Sequence, residues 1–129
     1  MNQPCPFCSP DTARRIFLHE HCYGLWDGFP VSPGHALVIP RRHIPTWFDA
    51  TREEQIALLA AVEQARQEIL QRHQPDGFNI GINIGAAAGQ AVFHLHVHVI
   101  PRYTGDLADP RGGVRNVIPH KGNYLRGTT

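Results

Sequence analysis

Three histidines stand at alternate positions in Phe93-His94-Leu95-His96-Val97-His98-Val99-Ile100. An imidazole can bind a metal, attack an electrophile or carry a proton near neutral pH. A strand sends successive side chains to opposite faces. His94, His96 and His98 are therefore expected on one face, with Leu95, Val97 and Val99 in a core. Each ring has two nitrogens that need partners. Three such rings side by side point to a metal site or to a phosphate-handling site with a histidine nucleophile. His35 opens another apolar run directly after Pro33-Gly34 and is a fourth candidate. Asn83 and Gln90 flank the loop Gly85-Ala86-Ala87-Ala88-Gly89, whose N–H groups have little side-chain cover and suit an anion. Asp27 ends a short apolar segment before a turn, a place for a turn former or a ligand contact.

A second cluster begins at Cys5-Pro6-Phe7-Cys8, the spacing of half a zinc site or of a redox pair. Hairpin signals follow it rather than a βαβ pattern, which favours the metal. His43 and His94 would complete a Cys2His2 set, the closed tetrahedral shell of a structural zinc. With Cys22 the chain has three cysteines and no leader pattern before Cys5, which argues against a disulfide framework.

These residues need elements to place them. Residues 15–20 and 22–26 read as a hairpin, and 35–40 as a buried strand after a type II turn at Pro33-Gly34. Thr51-Arg52-Glu53-Glu54 is a capping box. The helix it opens runs to about residues 71–73, with Leu58, Val62, Ala65 and Ile69 on its core-facing stripe. Residues 78–84 alternate as a strand and hairpin partner for the histidine strand. The order of strands, long helix and strands gives an α+β class: an antiparallel sheet of about five strands with one long helix packed on it. The 129 residues make one domain, 1–129, with a CxxC knuckle at 1–14 and an irregular tail at 103–129. A formal net charge of +1 gives no case for binding long nucleic acid. No apolar run is long enough to span a membrane, and the expected address is the cytoplasm.

The run His94-Leu95-His96-Val97-His98-Val99-Ile100 resembles the signature of the histidine-triad (HIT) family. Residues 33–43, Asn79-Ile80-Gly81-Ile82-Asn83-Ile84-Gly85 and Ala88-Gly89-Gln90 extend the resemblance over about residues 5–103. It implies a nucleotide hydrolase or transferase acting at an α-phosphate. His96 would be the nucleophile and form a nucleotidyl-histidine intermediate. His98 and His35 would contact the phosphate and assist the leaving group. Asn83, Gly89 and Gln90 would hold phosphate oxygens, Asp27 the ribose hydroxyls, and Leu25 part of a base pocket. The family's zinc-bearing members imply the ligands Cys5, Cys8, His43 and His94, with no catalytic metal required and magnesium arriving only with a polyphosphate. The family's usual state is a homodimer with a continuous sheet. Gln90 favours a purine dinucleoside polyphosphate substrate of the diadenosine tetraphosphate type, releasing AMP. The alternatives on the same site are phosphoramidate hydrolysis, nucleotidyl transfer and non-catalytic nucleotide binding. A further alternative is a catalytic metal held by His96, His98 and His35.

Overall fold

A computed structural model describes residues 4–125. Five antiparallel strands form one sheet: β1 (Arg15–Leu18), β2 (Cys22–Trp26), β3 (Ala36–Pro40), β4 (Gly77–Gly81) and β5 (Val97–Arg102). Their spatial order is β1-β2-β3-β5-β4. A single long helix, α1 (Arg52–Arg72), connects β3 to β4 and packs on β2, β3 and β5. The expected α+β architecture of about five strands and one helix is the one observed.

Register explains the two faces. Val38 and Val97 lie side by side across the sheet, as do Ala36 and Val99, and Cys22, opposite Pro40, shares their face. All five are buried in one cluster with Leu58, Ala61, Ala65 and Ile69 of α1. The opposite face carries Tyr23, Leu25, Leu37 and Ile39 as a smaller cluster with Phe7 against it. His98 pairs with Leu37 and therefore belongs to this second face.

The helix begins as expected. Thr51 Oγ1 accepts from the Glu54 amide, and Glu54 accepts from the Thr51 amide. The buried stripe runs through Glu54, Leu58, Ala61, Ala65 and Ile69. Ala61 takes the place expected for Val62, which is only partly buried. The small methyl of Ala61 lets the helix lie close to the sheet. Glu54 is buried because Arg42 meets it with two N–H groups, at 3.1 and 2.8 Å. That pairing and the cap hold its carboxyl at about 2, well below the usual carboxylate range.

Three boundaries differ from the sequence expectation. Strand β1 ends at Leu18, and β4 ends at Gly81 rather than residue 84. The histidine strand starts late, because regular pairing begins only at Val97. The β3–β5 ladder covers Ala36–Val38 against Val97–Val99. Beyond it the Pro40 carbonyl accepts from the His94 ring instead of from a strand amide. The alternation nevertheless persists into the unpaired stretch, since Leu95, Val97 and Val99 are all in the helix-side core. At the other end β5 runs through Pro101, which pairs with Phe78 past the end of the β3 ladder. A residue without an N–H is tolerated there because only one side is in a ladder.

Candidate active site and metal centre

The first site forms where the knuckle meets the ends of β3 and β5. One ligand atom from each of Cys5, Cys8, His43 and His94 lies within 4.8 Å of all the others. The two Nδ1 atoms of His43 and His94 face each other at 3.1 Å. Cys8 Sγ lies 3.2 Å from His43 Nδ1, and Cys5 Sγ lies 3.4 Å from His94 Nδ1. A tetrahedral ion with bonds of about 2.0 Å to nitrogen and about 2.3 Å to sulfur sets edges of about 3.3 and 3.5 Å. The four residues therefore fit a closed tetrahedral shell. The orientation of His94 supports the same reading. Its Nε2 donates to the Pro40 carbonyl at 2.8 Å, which leaves the Nδ1 lone pair facing the cluster. Burial holds this ring neutral by pushing its pKa down, with His43 and His96 adding to the effect.

The second site lies beside it on the same sheet face. His96 Nδ1 donates to the His94 carbonyl at 2.8 Å. That bond places the proton on Nδ1 and leaves Nε2 with an unshared pair, the form of imidazole that attacks. Phe7, between the two knuckle cysteines, packs its ring on His96 at 4.9 Å and meets His94 edge-on at 6.0 Å. Its carbonyl accepts from the Tyr23 hydroxyl at 2.5 Å. Sequence reasoning passed over Phe7; its position inside the CxxC motif was the available signal.

His98 and His35 form a pair. His98 Nδ1 lies 3.0 Å from His35 Nε2, and His35 Nδ1 accepts from the Val31 amide at 3.1 Å. Asp27 Oδ2 stands 3.3 Å from His35 Nε2, while its Oδ1 accepts from the Phe29 amide. The loop that holds these groups turns at Gly34, with φ of +88°. It is pinned to the end of β5 by Ser32 Oγ on the Pro101 carbonyl and by the Tyr103 hydroxyl on the Pro33 carbonyl. Burial pushes the His35 pKa down against the attraction of Asp27. His98 is pushed to about 4, first by burial and then by His96 and His35.

His35, His98 and Asn83 line a cavity of about 410 Å³ together with Val31, Asn79 and Ile82. Gly113, Val114, Asn116 and Val117 of the tail close its far side. The described part of the tail, residues 103–125, has short 3-10 turns at Gly113–Val117 and Pro119–Lys121. Its place over the cavity carried no sequence signal.

Several expected site residues are used otherwise. Both amide hydrogens of Gln90 go to backbone carbonyls, Pro45 at 2.7 Å and Val92 at 3.1 Å, and its Oε1 accepts from the Gly85 amide. Gln90 is buried and ties the small-residue loop to the body of the protein. Both of its amide hydrogens are thus engaged within the protein. The Gly89 amide likewise turns inward, to Ala86 O at 3.0 Å. Leu25 has no exposed surface and sits in the smaller core cluster, where a base cannot reach it. Asp27, His35 and His98 are close enough to hold a cation. The Val31 amide already occupies the lone pair of His35 and the His35 ring that of His98, and His96 is not part of that group.

Fold and site together define an α+β protein with a histidine triad, in which one triad member joins a Cys/His cluster that could hold a metal ion. The match to the HIT domain spans residues 10–105, and the chain belongs to that family. It is 37% identical over 110 residues to a HIT-like protein of Mycoplasma pneumoniae, covering 82% of this chain and 76% of that one. An adenylylsulfatase of Arabidopsis thaliana is 33% identical over 110 residues, which is 82% of this chain and 56% of that protein. An AP-4-A phosphorylase of Mycobacterium tuberculosis is 40% identical over 85 residues, 65% of this chain and 44% of that protein. Among solved structures, a zinc-bound histidine triad family protein from Mycobacterium smegmatis superposes with a TM-score of 0.72 at 35% identity. That match covers 81% of this chain and 79% of the other.

Proposed function

We propose that this protein is a nucleotide hydrolase that cleaves at an α-phosphate through a nucleotidyl-His96 intermediate. The observation that carries the reading is the His96 Nδ1 bond to the His94 carbonyl, which leaves Nε2 unprotonated. In the first step Nε2 attacks the α-phosphorus and the bond to the leaving group breaks. In the second step water attacks the phosphorus, and the phosphorus–nitrogen bond breaks with its electron pair returning to His96 Nε2. The water's proton passes to solvent and the nucleoside monophosphate leaves. Division into two displacements replaces one difficult step with two easier ones. Asn83 and the His98 Nε2–H supply donors at the cavity edge for the charge that builds on the phosphoryl oxygens.

Dinucleoside polyphosphates of the diadenosine tetraphosphate type, cleaved with release of AMP, are the substrates we assign first. The similarity to an AP-4-A phosphorylase supports this, and the similarity to an adenylylsulfatase supports the shared point of cleavage. Zinc is the metal we assign to Cys5, Cys8, His43 and His94. When bound it supplies structure, because all four positions of its shell are protein ligands. His96→Ala should lose at least about 10³-fold in turnover of diadenosine tetraphosphate, the scale of removing a nucleophile. The wild-type protein, quenched in acid during turnover, should carry one AMP mass on the peptide containing His96. Turnover by His96→Ala at the parental rate would sink the assignment.

A further inference from the structure

Cys5 and Cys8 differ from the third cysteine in everything that governs thiol chemistry. Cys22 is buried in the helix-side core, with its thiol directed at the Ala57 carbonyl at 3.8 Å. Burial pushes its pKa up to about 11, which keeps it protonated and inert. Cys8 is exposed and Cys5 half-buried, and their sulfurs lie within 4.8 Å of each other. Phe7, between them, packs on the opposite face of the sheet, so the sheet separates Cys22 from the pair. A metal shell holds both thiols as thiolates, the form that oxidants meet. The turn that carries them is closed by the Ser9 N–H on the Cys5 carbonyl at 3.3 Å. Only Pro6 and Phe7 lie between the two cysteines, and the Phe7 ring packs on His96 at 4.9 Å.

We propose that Cys5 and Cys8 are an oxidative modification site, at which hydrogen peroxide closes a disulfide, opens the Cys/His cluster and draws Phe7 off His96. The inference rests on zinc as the cluster's ion and, for its effect on turnover, on the nucleotidyl-His96 reading. In the first step the exposed Cys8 thiolate attacks one peroxide oxygen and the O–O bond breaks. Cys8 becomes a sulfenic acid, and the other oxygen leaves with the electron pair as hydroxide. In the second step the Cys5 thiolate attacks the Cys8 sulfur. The S–S bond forms, the S–O bond breaks and a second hydroxide departs. The two sulfurs have then lost two electrons between them, and the peroxide has gained both. The shell keeps only His43 and His94, two neutral ligands where a closed site needs four. Two sulfurs on a tetrahedral zinc stand about 3.8 Å apart, and the disulfide pulls them into covalent contact. The His94 ring is held by its Nε2 bond to the Pro40 carbonyl, so it does not follow. The bridge of Pro6 and Phe7 must tighten instead, and Phe7 moves with it.

The test titrates the zinc-loaded, 129-residue protein with hydrogen peroxide in the absence of reductant. It follows zinc released to a chromogenic chelator, the mass of the peptide carrying Cys5 and Cys8, and the ring-proton resonances of His96, which the Phe7 ring current displaces. The expected result is one zinc released for each Cys5–Cys8 disulfide, a peptide lighter by two hydrogens, and His96 resonances that shift in step. Turnover of diadenosine tetraphosphate should fall about tenfold over the same titration. Zinc alone should not restore it, whereas dithiothreitol with zinc should. Cys22→Ala should respond as the parent does. Sulfinic or sulfonic acids without a disulfide, or a disulfide that involves Cys22, overturn the modification site. A complete disulfide with unmoved His96 resonances and unchanged turnover overturns the link through Phe7. A protein that takes up no zinc at the cluster overturns the zinc assignment and this inference together. Absence of turnover before any peroxide is added overturns the nucleotidyl-His96 reading alone, because zinc release, peptide mass and the His96 resonances still decide the modification site.

Discussion

His96 and His98 are two residues apart and chemically identical, and the groups bonded to their Nδ1 atoms separate them. A carbonyl on His96 Nδ1 leaves the outer nitrogen basic. A ring N–H on His98 Nδ1 leaves the outer nitrogen a donor. Acidification should expose the second arrangement. Free histidine titrates near 6.5, and His98 in the fold is pushed to about 4. The unfolded chain therefore takes up the proton first. The stability owed to this ring is complete above pH 6.5 and is lost as pH falls from 6.5 toward 4. The shift limits that contribution to about 3 kcal/mol. His98→Asn, which keeps a donor without the titrating ring, should lose about 2 kcal/mol less stability than the parent between pH 7 and pH 4.5. Denaturant titrations at the two pH values check this. An equal loss in both proteins would remove His98 from the account. His35 and His94, both pushed down by burial, keep the variant acid-sensitive.

At the scale of elements, the loop between β4 and β5 depends on one side chain. Gln90 makes three hydrogen bonds, to Gly85, Pro45 and Val92. It thereby fixes a turn whose glycines sit at positive φ, Gly85 at +90° and Gly89 at +93°. Gln90→Glu is nearly isosteric but turns two amide hydrogens into an oxygen facing two carbonyls. The expected cost is about 2–4 kcal/mol, the scale of an unsatisfied buried polar group with added charge repulsion. Thermal melts at neutral pH measure it. A variant as stable as the parent would mean that the loop does not rely on Gln90. The same region marks a limit of sequence reading. A glutamine beside a small-residue loop and three histidines looks like a phosphate ligand by neighbourhood. Which way its amide points is set by Pro45, 45 residues away in the chain.

For the whole molecule, the knuckle and His96 are mechanically joined. Phe7 lies between two cysteines of the Cys/His cluster and against His96, and its backbone is held by Tyr23 of β2. Metal removal should therefore act on both stability and turnover. Stripping the metal with a strong chelator at neutral pH should lower the melting temperature by several degrees. It should slow diadenosine tetraphosphate turnover about tenfold, the range for loosened ligand or nucleophile support. Readdition of zinc should restore both. A chelated protein that melts as before would deny the cluster a structural role.

Much of this protein was legible in its sequence, because short-range rules governed it. The capping box of α1, the turn at Gly34, the alternation of histidines with Leu95, Val97 and Val99, and the membership of the Cys/His cluster all depend on spacing or side-chain type. The different surroundings of the three rings were not legible in the same way. They are decided by what each far nitrogen meets: Pro40 for His94, the His94 carbonyl for His96 and His35 for His98. The tail over the cavity and the burial of Leu25 and Gln90 belong to the same class. The sequence by itself determined that three imidazoles would share a face, since a two-residue period is a local property of extended backbone. Only the tertiary structure decided their tautomers, because a proton's place on a ring is fixed by hydrogen-bond partners brought in from elsewhere in the chain.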